Sequence, residues 1–213
     1  MSKSRDSWPG QPKAPPTTRK DRRRLSHVDR LGRPRMVDIS DKPATARRAT
    51  AEATVKMDQD TLTLVIDGEG AKGDVLSVAE LAGIMAAKRT SELIPLCHPL
   101  PLTEVSVEIT PDRKVGTLVI TATAATTAQT GVEMEAMTAA SIAALTVYDM
   151  VKSADRYVTV TSIRLLEKSG GKSGTWKRPA PKETLPEGDA ASAKVGRGTR
   201  STKRARVVRR GNA

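Results

Sequence analysis

Hydrophobic and polar positions change their spacing several times along the chain, and each change marks an element. Thr50–Met57 (TAEATVKM) alternates weakly and predicts a strand. Residues 58–67 satisfy two templates: Leu62, Leu64 and Ile66 fit a period of two, whereas Leu62, Val65 and Ile66 fit a helix. Asp74 is a helix-capping residue type, and Val75, Val78, Ala79, Ala82 and Met85 behind it share one helical face, which predicts a helix to about Ser91. Leu102–Thr110 alternates through Val105, Val107 and Ile109, Pro111–Gly116 has the composition of a turn, and Thr117–Thr126 returns, so the stretch predicts a hairpin. Thr130 and Glu133 have capping-box spacing ahead of a long helix to about Ala154, and Tyr157–Leu166 reads as a final β-rich strand. The order strand, helical region, strand, strand, helix, strand is that of the ferredoxin-like α+β class, an antiparallel sheet with helices on one face.

The long helix carries no charge from Ala136 to Tyr148 and is small or apolar all round. A helix of this kind is buried on more than one side. The sheet covers one side, and a second subunit is a natural cover for another. By contrast, residues 1–24 hold Pro9, Pro12, Pro15 and Pro16 without apolar periodicity, and residues 176–213 are rich in Lys, Arg, Gly, Pro and Ala. Neither end has enough apolar surface to offset the entropy of ordering, so both read as disordered basic tails flanking one domain, residues 25–175.

Composition changes this picture mainly through charge. The 213 residues hold 36 Lys plus Arg against 24 Asp plus Glu, a net charge of +12, which by itself suggests a nucleic-acid partner. Only 2% of residues are aromatic, too few to supply the stacking platforms of a single-strand binder. The charge is also unevenly placed. Residues 1–24 carry eight basic and two acidic side chains and residues 176–213 eleven and three, leaving the predicted domain with 17 basic and 19 acidic. Nucleic-acid binding therefore stands as an alternative attached to the tails, expected there only as non-specific contact. There is no run of about 18 apolar residues, so no membrane span is expected, and no apolar signal segment follows the first basic residues. Cys97 is the one cysteine, which precludes an intrachain disulfide and suggests a reducing, cytoplasmic compartment. With two histidines, it makes a structural zinc site implausible.

Five segments carry candidate chemistry. GEGAKG (68–73) matches G-x-G-x-x-G, but the proline-rich SELIPLCHPLP that follows the next helix does not fit the strand a dinucleotide fold requires. What remains of interest there is Lys72, held in a glycine loop before a helix. GGKSG (170–174) resembles the end of a P-loop but has Leu166 where the first glycine should stand; it can still form a flexible anion nest with Lys168 and Lys172. PLCHPLP pins His98 between prolines, where an imidazole can bind substrate or move a proton, while Cys97 reads as a small buried residue. In the first turn of the long helix Glu133 has a capping account, and Glu135 is the better functional candidate. Asp149 and Lys152, three residues apart, form either an ordinary ion pair or an acid/base pair. Glu135 and Asp149 are 14 residues apart, about 21 Å along a straight helix. Either one of them is structural, or a site joins two subunits.

The blocks HVDRLGRPRMVDISDKPATARRA, KGDVLSVAELAGIMAAKRTSELIPLCHPLPL, TGVEMEAMTAASIAALTVYDMVKSAD and IRLLEKSGGKSG together resemble the cyclic pyranopterin monophosphate synthase family of molybdenum-cofactor biosynthesis, over about residues 25–175. The resemblance implies a ferredoxin-like subunit of a homohexamer, a trimer of dimers with active sites at a dimer interface. It implies a lyase that converts cyclised dihydro-GTP to cyclic pyranopterin monophosphate and pyrophosphate, with no metal or organic cofactor. By the same resemblance Asp149, Lys72 and Lys152 are catalytic. Leu96, Cys97, His98, Glu133, Met134 and Glu135 bind substrate, and Arg47, Lys168 and Lys172 stand near its triphosphate. Val151 departs from the family pattern, in which a Cys commonly follows YDM. A position that accepts Val does not require thiol chemistry.

Overall fold

The computed structural model of the chain describes residues 27–29, 31–68 and 73–180. Lys72 and most of both predicted tails, residues 1–24 and 181–213, lie outside the described residues. The described residues through Pro179 belong to one compact unit. The elements are β1 (Thr45–Lys56), α1 (Gln59–Ile66), α2 (Val75–Ala87), α3 (Thr90–Leu93), β2 (Leu102–Asp112), β3 (Thr117–Ala128), α4 (Glu133–Val151), β4 (Thr159–Ser169) and β5 (Trp176–Lys177).

The strands form one sheet in the order β2-β3-β1-β4-β5, and every neighbouring pair is antiparallel. With α2 and α4 packed on each other and on the same face, this is the predicted ferredoxin-like α+β arrangement. Alternation decides which face is covered. Ala49, Ala51, Ala53 and Val55 of β1 and Leu118, Ile120, Ala122 and Ala124 of β3 are buried under the helices. The opposite face is polar. There Thr50 and Thr123 share a hydroxyl bond at 3.1 Å, Arg164 meets Glu52 at 2.6 Å, and Arg48 meets Glu104 at 2.6 Å.

The core is built largely from alanine, and this sets the spacing of its layers. Ala136, Ala139, Ala140, Ala143 and Ala144 of α4 are fully buried. Small side chains let the helix lie close to the sheet and to α2. At Gly83 of α2, an added Cβ would stand 2.9 Å from the Ala139 carbonyl oxygen and 3.3 Å from the Ala143 Cβ. Gly83 is therefore required by proximity, not by backbone conformation.

The elements depart from the sequence pattern in instructive places. The ambiguous segment 58–67 is helical: Leu62 and Val65 are buried and Leu64 is exposed. Asp74 caps α2 as expected, accepting the Ser77 N–H at 3.1 Å, but α2 ends at Ala87. Strand β1 starts five residues earlier than Thr50, because Arg47 and Arg48 hide its alternation. The capping box is not formed. Val132, not Thr130, precedes the first helical residue, and its side chain makes no cap bond. The predicted C-terminal tail opens with two residues of strand, Trp176 and Lys177, paired to Lys168 and Glu167.

Candidate active site

Strands β1, β2 and β5 start and β3 and β4 finish at one end of the sheet, and their pairing gathers distant segments. Arg47 at the start of β1 lies opposite Thr126 near the end of β3, and Arg48 lies opposite Ser169 at the end of β4. The junction of β3 with α4 therefore stands beside the end of β4. The proline-rich segment before β2 is fastened to the same place by the Thr126 hydroxyl, which donates to the Pro101 carbonyl at 2.6 Å. Between these pieces lies an open cleft of about 600 Å³.

Nine predicted residues line it: Arg47, Leu96, Cys97, His98, Glu133, Met134, Glu135, Lys168 and Lys172. The sequence reading missed His27, Lys42, Gln129 and Ser173, which also face the cleft. His27 carried a signal as one of only two histidines; Lys42 carried none, since its neighbours in the chain give no sign of which distant residues it will meet. Four cations, Lys42, Arg47, Lys168 and Lys172, thus surround two carboxyl groups, an arrangement suited to a polyanion.

Each side chain has a local reason for its place. Glu133 is the first residue of α4, where the helix dipole favours a negative charge, and it accepts a bond from the Lys168 Nζ at 2.7 Å. The tie joins α4 to β4 across the cleft. Arg47 is packed beneath the Gly170–Gly171 turn; an added Cβ at Gly171 would overlap its guanidinium. Both glycines have positive φ, +94° and +68°, so the turn depends on glycine twice over, for conformation and for room.

Glu135 is the electrostatic exception. Its side chain is buried, and loss of water pushes its pKa up to about 7; its own backbone N–H eases the shift slightly, and the nearby Glu133 charge adds to it. A carboxyl group poised near neutrality can both give and take a proton. Cys97 is half-buried, not fully so, and burial followed by the Glu135 charge raises its thiol pKa, which disfavours a thiolate nucleophile.

Asp149 and Lys152 are not part of this cleft. They sit at the other end of α4, bonded to each other at 2.6 Å, each with more than half of its side chain exposed. The hydrogen bond to Asp149 raises the Lys152 pKa first of all. Among the described residues, no group of three or more His, Cys, Asp or Glu is placed to hold a metal ion. No described helix is long and apolar enough to cross a membrane.

Residues 36–171 match the MoaC family, and that interval spans β1–β4, α4 and most of the cleft. The chain belongs to the MoaC family. Among curated members, a protein of Cereibacter sphaeroides is 57% identical over 156 residues, 73% of this chain and 98% of its own length. One of Brucella ovis is 56% identical over 153 residues, covering 72% of this chain and 93% of its own. A third, from Thermomicrobium roseum, is 56% identical over 154 residues, with 72% and 93% covered. All three are named cyclic pyranopterin monophosphate synthase. The MoaC interval leaves out both basic ends, so it lends nothing to the nucleic-acid alternative.

Proposed function

We propose that this protein is a cyclic pyranopterin monophosphate synthase. It acts on 3′,8-cyclo-7,8-dihydroguanosine triphosphate, rebuilds the purine-derived rings as a pyranopterin, closes a cyclic phosphate and releases pyrophosphate. The observation that carries this reading is the coincidence of family membership with one cationic cleft holding all nine substrate-binding candidates. Lys42, Arg47, Lys168 and Lys172 suit the triphosphate. Closing the cyclic phosphate breaks the bond between the α- and β-phosphates, and cations at the leaving pyrophosphate offset its growing charge. Glu135, near neutral pKa and walled by Leu96 and Met134, is fitted for proton movement on the ring system.

Asp149, Lys152 and Lys72 are the acid/base residues of this proposal, and Asp149 and Lys152 reach the cleft from a neighbouring subunit. The support is geometric. Asp149 lies about 21 Å along α4 from Glu135. The helical layer also exposes Val78, Leu81 and Met85 of α2 and Leu145 and Tyr148 of α4, two apolar stripes at helical spacing that another subunit would cover. The assembly proposed is a homohexamer, a trimer of dimers, formed by a domain that begins near Leu25 and includes the loop after β4.

The test is a turnover assay on the purified full chain with the cyclised triphosphate. Pyranopterin and pyrophosphate should appear in equal amounts. Failure to turn over that substrate in a folded oligomer would remove the assignment.

A further inference from the structure

Just past the cleft, the chain does something its composition gives no hint of. Residues 176–178 return to the outer edge of β4. Glu167 pairs with Lys177 and Lys168 with Trp176, and a salt bridge joins Lys177 to Glu167 at 3.0 Å. Arg178 makes the firmest attachment. Its backbone N–H donates to the Leu166 carbonyl at 2.7 Å and its Nε to the Leu165 carbonyl at 2.6 Å, while its guanidinium lies over the Trp176 ring.

The two carbonyls belong to consecutive residues. In a regular strand consecutive carbonyls point to opposite edges. Here the β1–β4 register passes from Ala51 opposite Leu165 to Thr50 opposite Glu167, so Leu166 is bulged and both carbonyls are available on the same side. One backbone N–H can satisfy only one of them, and the Arg178 side chain takes the other.

We propose that Trp176–Arg178 is a positioning strand for the anion-binding loop, closing Gly170–Thr175 over Arg47 and holding Lys172 at the cleft. The inference rests on the reading of the cleft as a phosphate site. The loop contains three glycines at positive φ, Gly170, Gly171 and Gly174, and makes one internal backbone bond, Gly174 N–H to the Gly171 carbonyl at 3.1 Å. A segment so rich in glycine loses much conformational freedom when ordered. β4 fixes one end of it, and β5 fixes the other. With the second end released, Lys172 would have to be ordered at the moment of binding, and affinity for phosphate would fall accordingly.

The test uses the full chain and inorganic pyrophosphate, with binding followed by calorimetry. Lys172→Ala should weaken binding about tenfold or more, the size of one charge-assisted contact. Arg178→Pro removes the N–H and the guanidinium and should weaken it about three- to tenfold, with Arg178→Ala, which keeps the N–H, in between. The deciding measurement is the double variant. If β5 acts through Lys172, Arg178→Pro adds nothing in the Lys172→Ala background. An equal loss in both backgrounds, or wild-type binding by Arg178→Pro, overturns the proposal. Should Arg178→Pro not fold, Arg178→Ala carries the same comparison. Unchanged binding by Lys172→Ala would instead sink the phosphate reading itself, and the positioning role with it.

Discussion

At its N-terminal end α4 presents Glu133 and Glu135 to a cleft assembled from five segments of the same chain. At its C-terminal end it presents Asp149 and Lys152 as a solvent-facing pair. The first end is enclosed, with one carboxyl group held near neutral pKa by burial. The second is an ion pair with more than half of each side chain exposed. Between them lies an uncharged stretch of alanine and other small residues, buried against the sheet and α2. In the composite site proposed above, one subunit's enclosed end would meet the open end of another.

Complementation tests whether the two ends of α4 meet across subunits. Glu135→Gln and Asp149→Asn are each expected to lower turnover by about 10²–10⁴, the usual scale for losing a positioned proton-transfer group. Co-expressed, the two should recover activity, up to about a quarter of the wild-type sites when subunits mix at random and each site draws on two chains. Recovery no greater than the sum of the single variants would mean that both ends serve sites within one chain, or that one end serves none.

A substitution in α2 that presses on the middle of α4 should impair both ends alike. Gly83→Val places a branched side chain against the Ala139 carbonyl and Ala143, in a core with no spare volume. The expected loss is about 1–3 kcal/mol of stability, read as a lowered denaturant midpoint. Whatever activity survives should fall for want of folded protein, with KM unchanged. A raised KM would show that the spacing between α2 and α4 tunes the cleft directly.

The enclosed end can be sharpened through pH. Burial is the main reason the Glu135 pKa stands near 7, and Glu133 adds a like charge. Glu133→Gln removes that charge, so the ionisation of Glu135 should move to lower pH. The limb it contributes to the profile of kcat/KM should move the same way, by a fraction of a pH unit. A move to higher pH, or none, would show that Glu133 is neutralised by Lys168 so fully that Glu135 does not sense it.

How far these features were legible depended on the range of the interactions behind them. The hairpin of β2 and β3 and the Asp74 cap are local, and their patterns are plain in the sequence. The helical face of α1 was hidden because Leu62, Leu64 and Ile66 also alternate; only packing showed that Leu64 points outward. Thr130 and Glu133 had the spacing of a capping box, yet Glu133 bonds to Lys168, a partner 35 residues away that no local rule includes. Of the nine cleft residues, His98, Glu135, Lys168 and Lys172 stood out in local motifs and the rest were assigned through resemblance to a family; the sheet register explains why they meet. Lys42 joined them without a local signal, and His27 with no signal beyond its rarity. β5 was invisible for a different reason: two strand residues in a basic, proline-flanked segment have no period to read.

The smallest expected effect contrasts the two ends by stability alone. Glu135 has a folded pKa of about 7, above its value in an unfolded chain. The unfolded state therefore gives up this proton first as pH rises. Stability attributable to the group is lost between about pH 4.5 and 7, and the loss is complete above that window. Glu135→Gln cannot ionise and should escape it, so its Tm should exceed that of the wild type by a few degrees at pH 8 and match it near pH 5. Lys152→Gln breaks an exposed pair and should leave Tm nearly unchanged at both pH values. The pattern to look for is a pH-dependent gain at one end of α4 and silence at the other. A clear loss of Tm from Lys152→Gln would mean that the ion pair helps to hold the proposed subunit contact together as well as serving the site.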